Sequence, residues 1–144
     1  MRTTNQILIA LPLDRVAELY TCHELLPSWS PGFISLEYVS GERGAVDSVF
    51  RHRYVVKGQE IEDITTLVAI DWPNGYRILS NCMDKGYRES TLRFEALDPT
   101  TTRITVHNLF SGEYVPHLVQ EELQAYVEQH LETFKTFAES RSKG

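Results

Sequence analysis

"FISLEYVSGERGAVDSVFRHRYVVKG", residues 33–58, decides how the chain is read. Apolar and polar residues alternate through Phe33–Ser40, glycines interrupt at Gly41 and Gly44, and the alternation resumes as far as Lys57 before Gly58. Period two with glycine-bearing breaks is the pattern of strands joined by tight turns. The rhythm continues through "QEIEDITTLVAIDW" up to "PNG", "YRILSNCMD" up to Lys85-Gly86, "YRESTLRFEAL" up to "DPTTT", and "RITVHNLF" up to Gly112. Six strands with evenly spaced turn signals predict a consecutive antiparallel meander. The opening "TTNQILIAL", β-branched and apolar before Pro12, adds a seventh strand.

Two segments keep a helical period instead. In "RVAELYTCHELL", residues 15–26, Val16, Leu19, Tyr20 and His23 recur on one side. Asp14 is the expected N-cap, and Pro27 is expected to stop that helix or a second short turn after it. After Pro116, residues Leu118, Val119, Leu123, Tyr126, Val127, His130, Leu131, Phe134 and Phe137 form one apolar stripe. Glu121, Glu122, Glu128, Glu132 and Lys135 lie off it, and Gln120, Gln124 and Gln129 are expected on the same wet face.

An antiparallel sheet can leave one face in water and must cover the other. In the second meander strand Asp47, Arg51, Arg53 and Lys57 oppose Ser48, Phe50, His52, Tyr54 and Val56. A sheet of seven strands curls because strands twist, and one helix cannot fill its hollow. A pocket between helix and sheet is the expected result. Its expected polar residues are Ser48, His52, Tyr54, Thr66, Ser80, Arg88, Ser90 and Asn108. They are set among Phe50, Val68, Ile70, Leu92, Phe94, Val106 and Phe110. A bulge in residues 59–72 would exchange Thr66 for Thr65. Asp63, if it points inward, needs a partner such as Arg88 or Tyr54, because an unpaired buried charge is costly.

The order of strand, short helix pair, six antiparallel strands and long C-terminal helix resembles the helix-grip fold of the START-like, or SRPBCC, superfamily. Two stretches carry the likeness: "LPLDRVAELYTCHELLPSWSPGFISLEYVSGERG", residues 11–44, and "TTLVAIDWPNGYRILSN", residues 65–81. One departure is visible: where many members carry a second glycine after "SGERG", Asp47-Ser48 stand here. The resemblance implies an α+β fold, with a curved seven-stranded antiparallel sheet wrapped around a long C-terminal helix. It also implies one domain over residues 1–140 and a disordered tail at 141–144. The superfamily includes polyketide cyclases and aromatases, plant proteins of the birch-allergen type, lipid-transfer domains and activators of the Hsp90 ATPase.

The expected function is therefore binding of a small hydrophobic or aromatic ligand between sheet and helix. The expected contacts are Trp29, Phe50, His52, Tyr54, Ser80, Arg88, Ser90, Asn108, Phe110, Leu123 and Tyr126. For Trp29 two readings stand: an anchor for the loop after the short helices, or a ligand-facing wall. The alternatives are a cyclase, aromatase or dehydratase with His52 and Tyr54 as proton-transfer groups, and a protein-interaction module.

Other classes find little support. The chain has 144 residues, enough for one core, and a formal charge of −6, which disfavours nucleic-acid binding and anionic membranes. No apolar run reaches transmembrane length and "ILIAL" is too short for a signal peptide, so membrane insertion is not expected and a cytoplasmic location is. The state is expected to be monomer or homodimer. Cys22 and Cys82 are far apart and read as thiols. His23, His52, His107, His117 and His130 are scattered without metal-ligand spacing, apart from the i,i+4 pair His117 and Glu121, which reads as a solvated first turn. His130 reads as structural. No GxSxG and no phosphate loop occurs, and no metal or cofactor is expected.

Overall fold

The computed structural model describes residues 1–82, 86–112 and 119–141. Strand β1 (Arg2–Ile9) leads to helix α1 (Leu13–Thr21), a 3-10 turn (His23–Leu25) and a one-turn helix α2 (Leu26–Trp29). Then come β2 (Phe33–Ser40), β3 (Val49–Val56), β4 (Gln59–Asp71), β5 (Gly75–Cys82), β6 (Gly86–Asp98) and β7 (Thr101–Gly112), and helix α3 (Gln120–Arg141) follows. The seven strands form one sheet in the order β1-β7-β6-β5-β4-β3-β2, each pair antiparallel. The α+β architecture expected from the alternation is present. Leu118 and His117, and with His117 the spacing to Glu121, fall outside the described residues. Among the described residues, no helix is long and apolar enough to cross a membrane.

Local details correct the sequence reading in three places. Residues 15–26 are not one helix: α1 ends at Thr21, and Cys22 is extended with φ −78° and ψ 102°. The residue capping α1 is Pro12 rather than Asp14; its carbonyl accepts from the Val16 amide at 3.0 Å, and Asp14 lies within the first turn. A carboxylate there still favours the positive end of the helix. Pro27 stops nothing. It sits in the first turn of α2, where a missing N–H costs no hydrogen bond. The Asp47 departure is also explained, since its φ of +72° is a conformation glycine adopts freely and aspartate tolerates better than most residues.

Strand β4 changes phase along its length. Ile61, Asp63 and Thr65 are buried on the concave face, so Thr65 occupies the place expected for Thr66. The pairing with β5 then shifts register between Leu67 and Ala69. Leu67 faces the hollow, Val68 does not, and beyond the bulge Ile70 again lines it. An extra residue in one strand reverses which side chains share a face.

Helix α3 is tied to one edge of the sheet. The Gln124 side chain donates to the Thr4 carbonyl at 2.8 Å, and the Lys135 ammonium to the Leu8 carbonyl at 2.6 Å. Gln120 donates to the Arg2 carbonyl, and the Glu139 carboxylate accepts from the Ala10 amide at 2.8 Å. In return Asn5 donates to the Gln124 carbonyl at 3.2 Å. The spans match: six strand residues cover about 20 Å and fifteen helical residues about 22 Å. Gln120, Gln124 and Lys135, expected to face water, instead occupy the hydrogen-bonding groups that an edge strand leaves open. At the other edge, β2 carries register shifts between Phe33 and Ser35 and between Tyr38 and Ser40, which also discourage further pairing.

The apolar interior forms two clusters. The larger joins α1 and α2 to the C-terminal half of α3 through Leu19, Trp29, Phe94, Ile104, Leu131 and Phe134. The smaller sits under the N-terminal half of α3 and contains Tyr54, Val56, Ile61, Cys82, Phe110 and Leu123.

The tight turn into β5 depends on Gly75. Its φ is +147°, and an added Cβ would lie 2.0 Å from the Leu92 carbonyl oxygen on β6. We expect Gly75→Ala to destabilise the protein by more than the 1–3 kcal/mol, on the order of magnitude, that such a backbone position costs alone. Thermal melting monitored by circular dichroism checks this; an unchanged midpoint would contradict it.

Candidate ligand-binding cavity

A cavity of about 440 Å³ lies between the concave sheet face, the α1–α2 segment and α3. The exposed lining residues Arg43, Gly44, Ile70 and Trp72 mark its opening. Deeper in, the wall is formed by Leu36, Phe50, Leu67, Tyr76, Ile78, Leu92 and Val106, most of it apolar.

Cross-strand neighbours build a polar floor from β3 to β1. The Tyr54 hydroxyl donates to Asp63 Oδ2 at 2.8 Å. Arg88 Nη2 lies 3.9 Å from the same oxygen and donates to Ser80 Oγ at 3.3 Å. Ser80 Oγ is 2.8 Å from Thr65 Oγ1. On the next row Ser90 donates to Asn108 Oδ1, and the Asn108 amide donates to Thr3 Oγ1 at 3.2 Å. Register places these groups side by side: Thr65 opposite Ser80, Ser80 opposite Arg88, Ser90 opposite Asn108, Asn108 opposite Thr3. Asp63 is fully buried and thus has the partners its burial demands, both of those expected for it.

Of the expected contact residues, Trp29, Phe50, His52, Tyr54, Arg88, Ser90, Asn108 and Tyr126 line the cavity. Ser80, Phe110 and Leu123 do not. Ser80 lies beneath the wall, bonded to Thr65 and Arg88, while Phe110 and Leu123 pack in the smaller apolar cluster. Thr66, Val68 and Phe94 are likewise off the wall, the first two because of the β4 phase and Phe94 because it is core. Trp29 packs as an anchor and also borders the cavity. It ends α2, only 3% exposed, with ring centroids of Tyr20, His130 and Phe134 at 5.3, 4.9 and 4.9 Å, and its edge reaches the cavity.

Several wall residues had no signal in the strand pattern. Tyr20, His23, Val127 and His130 come from helices, and their spacing showed only that they face inward. Tyr38 reaches across from β2, its hydroxyl 2.8 Å from His23 Nδ1.

Burial governs the protonation of the wall. His52 is driven down to about 3, first by burial and then by Arg88, with His130 and His23 adding to it. His130 is lowered to about 4 by burial, with Arg88 second. His23 is lowered by burial and by Arg43, partly offset by Glu24. Tyr20, Tyr76 and Tyr126 are raised by burial, with Arg88 pulling each back. Geometry agrees for two histidines: His52 Nε2 and His130 Nδ1 are buried without a hydrogen-bond partner among the described residues, whereas an imidazolium must place both N–H groups. Among the described residues no group of three His, Cys, Asp or Glu side chains is placed to hold a metal ion, and Cys22 and Cys82 are free thiols.

No protein-family model matches the chain, and no curated protein matches it. Solved structures do. TTHA0849 of Thermus thermophilus superposes with a TM-score of 0.80 at 23% identity, covering 99% of each chain. The Zhui aromatase/cyclase of Streptomyces sp. R1128 gives a TM-score of 0.77 at 21% identity, over 99% of this chain and 95% of that one. A START superfamily protein of Mycobacterium smegmatis gives 0.71 at 17% identity, over 97% and 95%. The fold is the one these structures share, the helix-grip fold.

Two outcomes test the site's electrostatics. In the unfolded chain an imidazole takes up a proton below its ordinary value of 6.5, whereas folded His130 resists until about 4 and His52 until about 3. Acid therefore favours the unfolded chain. The contribution of each histidine is fully present above about pH 6.5 and falls by about 1.4 kcal/mol per pH unit below it. Urea melts of His130→Gln between pH 7 and 5 should show a shallower loss than the parent; parallel curves would contradict the assignment. For the ion pair, Arg88→Met should cost about 3 kcal/mol or more by removing the guanidinium beside the buried Asp63 carboxylate. Asp63→Asn/Arg88→Met should recover part of that loss, because no buried charge is left. A double variant no more stable than Arg88→Met would refute the coupling.

Proposed function

We propose that the protein binds a small hydrophobic or aromatic molecule in this cavity. The observation that carries the reading is an apolar-walled space of about 440 Å³ with an opening at Arg43, Gly44 and Trp72. Ligand sites are commonly of this size and composition. The ligand-facing residues we assign are Trp29, Phe50, His52, Tyr54, Arg88, Ser90, Asn108 and Tyr126, joined by Tyr20, Tyr76 and His130. The aromatic rings supply contact area and the polar floor sets orientation.

The likeness to an aromatase/cyclase raises a catalytic reading. His52 would be its base, but an imidazole held near 3 is a weak base at neutral pH. The Tyr54 hydroxyl is already engaged with Asp63. Binding is the function the geometry supports best. An interaction module would need no open cavity, so the space also weighs against that alternative.

Native mass spectrometry of protein purified without denaturant, followed by organic extraction, tests the proposal. A discrete added mass lost on denaturation is the expected result. Ile78→Trp, which places an indole in the cavity, should lower its occupancy at least tenfold, on the order of 1.4 kcal/mol. Unchanged occupancy in that variant would place the ligand elsewhere.

A further inference from the structure

The charges around the cavity carry a second inference, which rests on the ligand-binding reading above. Two guanidinium groups line the described wall, and each has a carboxylate of this chain. Arg88, in the floor, stands against fully buried Asp63, 3.9 Å away. Arg43, at the opening, donates twice to Glu24 and lies 5.9 Å over the Tyr38 ring. The wall histidines offer no compensating cation. His52 and His130 each keep a buried nitrogen without a hydrogen-bond partner among the described residues, and burial and the nearby Arg43 guanidinium hold His23 below its ordinary value.

We infer that the cavity selects an uncharged ligand over an anionic one of the same shape. A carboxylate or sulfonate entering an apolar space loses hydration worth several kcal/mol, which only a full counter-charge restores. Arg88 cannot supply that charge, because Asp63 behind it has already matched it. What the ligand meets is a dipole. Arg88 forms its positive end on the cavity side, 22% exposed, and Asp63 its negative end with no exposure. The complement of such a wall is a neutral oxygen, as in a carbonyl, ether or phenol. A cation would face the positive end.

A matched probe pair tests this. N-phenyl-1-naphthylamine and 1-anilinonaphthalene-8-sulfonate share their rings, and only the second carries an anion. Fluorescence titration of the unmodified protein, with one-to-one stoichiometry confirmed by native mass spectrometry, should show the neutral probe bound at least about tenfold more tightly. Equal or tighter binding of the sulfonate would overturn the inference while leaving the ligand-binding function intact. Asp63→Asn keeps an acceptor for Tyr54 and removes the carboxylate charge that faces Arg88. In that variant, checked for folding by circular dichroism, the preference should swing toward the sulfonate by about tenfold or more. An unchanged ratio in the folded variant would refute the role of the pair. If neither probe binds, the molecule extracted from the purified protein decides: an uncharged one supports the inference and an anion overturns it. No probe bound and no extracted molecule would sink the ligand-binding reading itself, and this inference with it.

Discussion

One helix has to close a sheet of seven strands, and it is held at one edge. Side chains from Gln120 to Glu139 bond along β1, so α3 lies beside that edge rather than over the middle of the sheet. The remaining breadth from β7 to β2 curls around a space that α3 borders with Tyr126, Val127 and His130 but does not fill. Helices α1 and α2 fill part of it with Leu19, Tyr20 and Trp29, and the rest stays open. The cavity follows from the ratio of helix to sheet, not from any one residue.

The same constraint divides the core. The two ends of α3 each cover an apolar cluster, and the polar floor runs between them. A buried ion pair is rarely a net source of stability when an apolar pair of the same volume could replace it. Asp63 and Arg88 therefore make better sense as part of the cavity than as part of the packing. Their hydrogen bonds to Tyr54 and Ser80 hold the guanidinium in one place on the wall. In the binding role proposed above, a fixed dipole would need no rearrangement, which lowers the cost of ordering on binding.

The opening is built differently from the floor. Its contacts are between side chains of segments distant in sequence: Glu24 with Arg43, and His23 with Tyr38. Glu24 and Arg43 are largely in water, where an ion pair contributes little. Such contacts hold the 41–48 turn, whose Arg43, Gly44 and Ser48 border the cavity.

Much of this was legible in the residues, and the limit is a physical one. Side-chain period shows which face of an element is inward, so the meander, the long helix and the inward set Phe50, His52, Tyr54, Arg88, Ser90 and Asn108 follow from alternation alone. Period cannot report a bulge, so Thr65 and Thr66 exchanged places in β4, and Val68 left the concave face. Period also cannot tell a residue that fills the core from one that borders a void. Tyr20 and His130 on the helices and Ser80, Phe110 and Leu123 on the expected site list all satisfied the same pattern, yet only the first two face the cavity. Where α3 docks was hidden for a related reason: Gln120, Gln124 and Lys135 are polar, and only the approach of β1 turns a wet face into an anchor. The amino-acid sequence determined the elements and their inward faces, because these depend on neighbours along the chain. Tertiary structure decided where the space would be and which charges would be matched around it, because both depend on residues that meet only after the sheet has curled.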